Sequence, residues 1–403
     1  MKLRPDTFAM TATLAMLTAL GPLSTDFYLP SLPDIGGFFG AGTARAQATL
    51  SFFLFGFAFG QILWGPLSDR MGRRPVLFMG LGLFALATAA CAFAPSIEAL
   101  IGARFLQALG ASGPIVLGRA MVRDLYEGPR AGRELARMGM IMGLVPAIAP
   151  FLGGFLHEAF GWRATFIASL AFGLVLIGIV DALLPETLRR RLETPFSLTA
   201  LLGDFAILLE NRAYRAYVAL TALAYSGLFA FISGSSFVLI EVYGLSPKAY
   251  GLSFGFGVLG YISGTIIAQR LVNSRGIDGV IALGVGCLAA GGAIMLAAVL
   301  LVGERAGVGP SLAVSLPMAL YAAGVGLVMP QSQAAAMMPF PERAGAASSL
   351  SGISQMTLSA LVGLFVGQIL AGAALPLPLV IATIGLVALL VFRLTRAIRA
   401  ARR

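Results

Sequence analysis

Uncharged apolar stretches of about 20 residues recur along this chain, and each is long enough to cross a hydrocarbon core about 30 Å thick. They occupy 8–35, 46–66, 75–94, 97–121, 135–158 and 163–184 in the first half, and 214–239, 249–271, 278–302, 312–336, 346–371 and 376–395 in the second. No water reaches backbone groups in lipid, so such segments form helices joined by short polar turns. The expectation is an all-α integral membrane protein of twelve transmembrane helices. Composition points the same way: 58% of the 403 residues are apolar and 11% are charged, too few to cover a water-soluble globule. A soluble enzyme, a disordered tail and a nucleic-acid binder are excluded on that ground. Cys91 and Cys287 lie in separate apolar runs and offer neither a disulfide framework nor a metal-ligand spacing.

The formal charge of +10 reads as an orientation signal. With the N-terminus in the cytoplasm, 23 of the 28 lysines and arginines fall on the cytoplasmic side and four (Arg45, Arg163, Lys248 and Arg305) on the other, leaving Arg104 within a span. This asymmetry places both termini in the cytoplasm. The opening basic residues followed by an apolar run also suit a signal peptide, but the run continues through Tyr28 without a small-residue cleavage site, so it is read as a span. The longest polar gap holds Arg189 to Arg191 and Pro195 near mid-chain. It divides a bundle at 1–188 from a bundle at 214–403, with a cytoplasmic linker at 189–213. Leu67, Asp69 and Gly72 match Leu271, Asn273 and Gly276 at a constant offset of 204, as in a duplicated bundle.

The connection between spans two and three reads GPLSDRMGRRPVL, with Gly65, Asp69, Arg70, Gly72, Arg73 and Arg74. A turn that only obeyed the charge rule would not need an aspartate among arginines, or glycines at both ends. The segment resembles the cytoplasmic signature of the major facilitator superfamily, G-x-L-[AS]-D-R-x-G-R-R. In span four, IGARFLQALGAS is similar to that superfamily's R-x-x-Q-G-x-G pattern, retaining Arg104 and Gln107. Span five, GLVPAIAPFLGG, resembles the antiporter motif through Gly143, Pro146, Pro150, Gly153 and Gly154, although Ala147 replaces a usual glycine. TDFYLPSLPDI, VRDLYEG, LPETL and EVYGLSP look like segments of the Bcr/CflA group of drug:proton antiporters. The resemblance covers the whole chain. It implies two pseudo-symmetric six-helix bundles in the bacterial inner membrane. It also implies a loop in which Asp69 caps the start of span eleven near Ala346 and Ala347 while Arg73 pairs with Asp124.

Burying a charge in hydrocarbon costs at least about 2.5–3.5 kcal/mol, so intramembrane charges are functional candidates. The two clear cases are Asp26 in span one and Arg104 in span four, each nine residues inward from the outer end and therefore at one depth, roughly 13 Å in. An opposed acid and base there suit proton uptake, or a fixed ion pair locking two helices. The resemblance favours coupling, because these positions match those its antiporters use for protons. Asp34 is expected to cap a helix end in water, Asp181 to be structural, and His157, beside Glu158, to be a solvated loop residue. Gly139, Gly143 and Ala147, spaced by four, suit close backbone approach.

No charged residue interrupts 216–240, 279–303 or 346–392, so the second-half cavity wall is apolar and aromatic. Tyr225, Phe229, Phe231, Tyr261, Met329 and Gln331, with Tyr28 and Gln107 from the first half, are the candidate substrate-binding set. Each of these taken singly also suits lipid contact or helix packing. The expected function is proton-coupled efflux of lipophilic drugs such as phenicols or bicyclomycin-like compounds by alternating access. The alternatives are a sugar or organic-acid transporter, whose site needs more polar groups than this interior holds, and a membrane-embedded enzyme or a non-transporting scaffold. No G-x-x-x-x-G-K-[ST] occurs, so neither ATP nor any other cofactor or metal is expected, and no catalytic residue. The expected partners are a small lipophilic substrate, protons and the lipid bilayer, with no nucleic acid, the chain acting as a monomer.

Overall fold

The structure, a computed structural model, describes residues 3, 7–126, 128–188, 197–370 and 372–400. Among these residues the secondary structure is helical throughout, without a strand. The first half runs α1 (Phe8–Asp26), α2 (Leu32–Phe38), α3 (Gly42–Met71), α4 (Arg73–Ala92), α5 (Ile97–Leu125), α6 (Gly128–Phe160) and α7 (Arg163–Leu183). Proline at positions 30 and 33 removes backbone donors after Asp26, so span one breaks into a 3-10 turn and the short α2. The second half runs α8 (Leu198–Glu210), α9 (Arg212–Ser236), α10 (Pro247–Val302), α11 (Val308–Met337), α12 (Ala344–Ile369), α13 (Pro376–Leu394) and α14 (Arg396–Ala400). A π-helical turn, Phe237–Val242, ends α9.

Ten of the described helices are long and apolar enough to cross a membrane. One of them, α10, crosses twice, because its 56 residues fold back at Gly276. The described apolar stretch of α6, Leu144–Phe160, is shorter and is not among the ten; taken with them it is consistent with the twelve crossings of the expected all-α fold.

Two compact units form, one from Met1–Gly40 and Phe52–Phe196, the other from Ala41–Ser51 and Ser197–Arg403. The expected linker at 189–213 is described in part. Residues 189–196 lie outside the described residues, and the rest is mostly α8, since Ser197 accepts a hydrogen bond from the Ala200 N–H and starts a helix in an almost uncharged run.

The offset of 204 recurs in the packing. A Cβ on Gly56 would stand 2.2 Å from the Phe105 carbonyl oxygen, so α3 and α5 touch backbone to backbone. Gly260, 204 positions on, has the same relation to the Ala319 carbonyl oxygen of α11 at 2.0 Å, and Gly264 repeats it at Ala323. Gly72 and Gly276 both take positive φ, 105° and 66°, where a side chain would be strained, and both turn the chain between consecutive spans.

Gly260→Ala is expected to force α10 from α11 and lower stability by about 1–3 kcal/mol in thermal unfolding of the detergent-solubilised protein. Gly82→Ala, where nothing lies within 4 Å of the added carbon, should leave the transition unchanged.

Candidate functional site

The loop after α3 ties four chain ends together. Arg73, 7% exposed, holds Asp124 at the end of α5 through Nε at 2.8 Å and Nη2 at 3.3 Å. Its Nη1 also donates to Asp69 and, at 2.7 Å, to Ser68. Thr187 Oγ1 donates to the same Asp124 carboxylate at 3.1 Å. Arg70 donates to the Pro66 carbonyl at 2.7 Å, one turn back along α3. A Cβ on Gly65 would come no nearer than 3.7 Å to Val116, an ordinary van der Waals distance. Arg74 Nη2 reaches both the Asp181 carboxylate, at 3.0 Å, and its carbonyl, at 2.7 Å.

The sequence reading passed over Glu186, in the LPETL segment. Its carboxylate accepts the backbone N–H groups of Arg73 and Arg74, the first turn of α4, at 3.0 and 3.1 Å, and those of Thr187 and Leu188 at 2.9 and 3.0 Å. A carboxylate at a helix N-terminus satisfies orphan donors and meets the favourable end of the dipole. Gly72 leaves room for it, since a Cβ there would stand 2.7 Å from Glu186 Oε2.

Deeper in the same unit, Arg104 is fully buried. Its Nη1 donates to Gln107 Oε1 at 2.5 Å and to the Ser24 carbonyl of α1 at 3.2 Å. Gln107 Nε2 in turn donates to Thr88 of α4 at 2.9 Å. The guanidinium lies over the rings of Phe53, Tyr28 and Phe166, at 4.3, 4.6 and 5.8 Å from their centroids. Cation–π contacts of this kind are worth about 2 kcal/mol when desolvated. Nε and Nη2 have no hydrogen-bond partner. Tyr28 and Gln107, two of the candidate substrate residues, are both buried and both meet this cation.

Asp26 departs from expectation more sharply. Its depth matches that of Arg104, which meets α1 two residues earlier, at the Ser24 backbone carbonyl. Among the described residues no ion pair or hydrogen bond joins Asp26 to Arg104 or to any other group, although Asp26 is only 5% exposed. The expected acid–base opposition is not formed. Beside Asp26, α6 comes unusually close: a Cβ on Gly153 would stand 2.2 Å from the Phe27 carbonyl oxygen. Pro146 and Pro150 lie within α6 and Gly154 is buried next to Gly153. Gly139 and Gly143 lie outside the residues whose side-chain surroundings are described. Asp34 is exposed in the first turn of α2, and His157 lies in the last turn of α6, half-buried, and not in a loop.

Residues 14–364 match the family model of the Major Facilitator Superfamily. The chain belongs to this superfamily. It is 27% identical to a Haemophilus influenzae protein named as a bicyclomycin resistance protein homolog, over 94% of this chain and 93% of that one. It is 32% identical to a Pseudomonas aeruginosa chloramphenicol resistance protein over 72% and 69% of the two chains. In fold it matches the crystal structure of the nucleoside transporter NupG with a TM-score of 0.76 at 14% identity, covering 96% of this chain and 99% of that one.

In the second unit of this superfamily member, the candidate substrate residues divide by burial. Phe229 and Phe231 are buried, Phe229 stacking on Tyr225 at 6.5 Å and Phe231 lying 5.8 Å from Phe254. Tyr225, Tyr261, Met329 and Gln331 are half-buried and keep part of their surface open. At the arginine-rich end, Arg399 Nε donates to Asp278 at 3.3 Å and Tyr217 Oη donates to the same carboxylate at 3.0 Å. Asp278 lies 204 positions after Arg74, so both units tie the start of one span to the end of another with the charges exchanged.

Glu186→Ala should cost about 1 kcal/mol in thermal unfolding, the usual value of an N-terminal cap. Asp124→Ala should cost more, about 2–3 kcal/mol, because it removes a two-point charged hydrogen bond from a buried arginine. Equal transition temperatures for Glu186→Ala and the parent protein would remove the cap from the account.

Proposed function

We propose that this chain is a proton-driven exporter of small lipophilic drugs, of the phenicol and bicyclomycin kind, acting as a monomer in the bacterial inner membrane with both termini in the cytoplasm. It is a transporter and not an enzyme. The observation that carries the reading is Asp26: an ionisable side chain at membrane depth, with no charge partner, beside the backbone approach of Gly153. Such a group is expensive to keep in a bilayer unless it works. The relatives named for resistance to bicyclomycin and chloramphenicol supply the substrate class.

Arg104 then has a different part from that of a standing partner. Its ring cage and its bonds to Ser24 and Gln107 hold it in place, while two donors stay unfilled. A rotation of α1 that brings the ionised Asp26 carboxylate round to those donors would let one charge be met by the other. Protonation of Asp26 would release it again. Binding of drug, reorientation and release outside alternate with uptake and delivery of the proton. Each charge carried across the membrane contributes about 2.3 kcal/mol per 100 mV, sufficient drive without nucleotide hydrolysis. The grip of Arg73 on Asp69 and Asp124 belongs to the gate on the cytoplasmic side and loosens when that side opens. Tyr225, Tyr261, Met329 and Gln331 are the members of the substrate set with surface to offer, and Phe229 and Phe231 back them.

Asp26→Asn is expected to reach the membrane and bind a neutral drug, yet to give no resistance to phenicols or bicyclomycin in a pump-deficient host. In everted vesicles it should no longer dissipate a pH gradient when drug is added. Resistance at the level of the unaltered protein would remove Asp26 as the proton carrier.

A further inference from the structure

Uncharged spans are not thereby wholly apolar. Residues four apart share a helix face, and on α12 Ala347, Ser351, Gln355 and Ser359 are all buried. That face rests on α9: Tyr214 Oη donates to the Ala347 carbonyl at 2.7 Å, and the Ser226 and Ser359 hydroxyls meet at 3.2 Å. Both contacts join residues 133 apart, so the two helices run in parallel register, with Ser351 level with Val218 and Gln355 with Ala222. Running the opposite way along α9, α11 brings the Tyr321 hydroxyl against Gly227. Ser332 follows Tyr321 by eleven residues, about three turns, and so comes beside the turn of α9 that holds Val218.

Hydroxyls in these helices commonly turn back to a carbonyl of their own helix, as those of Thr221, Ser226 and Ser354 do. Ser332 and Ser351 do not. Ser332 is 0% and Ser351 5% exposed, and neither hydroxyl has a hydrogen-bond partner. The carbonyl one turn before Ser351 is that of Ala347, already taken by Tyr214. Gln355, on the next turn, accepts from Gln333 Nε2 of α11 at 3.4 Å, a long and weak bond. Buried polar atoms left open in this way are costly, and a group of them drawn from two helices has a place for a partner.

Each of these four side chains can donate as well as accept, and none is charged. No charged residue lies in α11 or between 346 and 392. A carboxylate or an ammonium entering here would meet no counter-charge on these helices, whereas an amide or a hydroxyl would exchange hydrogen bonds. Gln355 lies eleven residues into the 26 of α12, about 16 Å along it and near its middle. Gln333 and Ser354 are half-buried, which leaves the group an open side.

We propose that Ser332, Gln333, Ser351 and Gln355 form a hydrogen-bonding subsite for a neutral amide or hydroxyl of the exported drug. The inference rests on the export reading and narrows it, to uncharged molecules that carry such a group.

The probe is radiolabelled chloramphenicol, which carries an amide and two hydroxyls, bound to the purified full chain in equilibrium dialysis. Gln355→Met, which keeps the length of the side chain, should raise its Kd about tenfold. Ser332→Ala combined with Ser351→Ala should raise it several-fold while the thermal transition holds or rises, since the hydroxyls removed are buried and unpaired in the empty protein. Should Gln355→Met fail to fold, the serine pair decides alone. An unchanged Kd overturns the subsite and leaves the group to internal water; efflux of chloramphenicol from everted vesicles by the unaltered protein then shows that the export reading stands. Neither binding nor efflux by the unaltered protein would overturn both.

Discussion

The guanidinium of Arg104 sits where water does not reach it, and among the described residues no carboxylate pairs with it. Its charge is met instead by a carbonyl of α1, an amide of α5 and three aromatic faces from α3, α7 and the chain just after α1. Leaving a cation unpaired in such a place would cost several kcal/mol. The elements that solvate it are therefore held together by that need, and Gln107 extends the hold to Thr88 of α4. Because none of these partners is Asp26, the bundle does not depend on the charge of Asp26 for its integrity.

Much of the fold was legible because lipid leaves the backbone so few options. Apolar run length marked the spans, and the offset of 204 marked the repeat, which the structure extends to Gly56 and Gly260 and to the two positive-φ glycines. Depth was legible too: counting residues from the span ends put Asp26 and Arg104 at one level. Azimuth was not. In α1, apolar residues occupy nearly every side, so no stripe fixes which residues face the bundle. A shift of two residues, from Asp26 to Ser24, changed which group meets the arginine. Glu186 was missed for a related reason. Its segment was noticed only as a resemblance, whereas its chemistry becomes apparent once Gly72 brings the start of α4 against it. The linker was read as polar from Arg189 to Arg191 and Pro195, and the uncharged run after Ser197 that forms α8 was overlooked.

The arginine-rich end illustrates what duplication preserves. Arg74 reaches Asp181 in the first unit, and Asp278, at the corresponding position, takes Arg399 in the second. Complementarity is kept while its sign is reversed. What both units require is a tie between the start of one span and the end of another; a pair satisfies that requirement whichever side carries the acid. The arginine's packing matters as well, since Arg399 lies 3.9 Å above the Phe392 ring and is buried, whereas Arg74 remains partly open to water.

Gly153 joins these threads at Asp26. Its missing side chain lets α6 rest on the Phe27 carbonyl, the first peptide beyond the end of α1. A larger residue would push α6 away and let water and lipid approach the carboxyl from that side. With glycine there the two backbones meet directly, and the prolines at 30 and 33 break the continuation of α1 into the 3-10 turn and α2. The glycine of span five and the acid of span one thus meet at one place, the chain segment that ends α1.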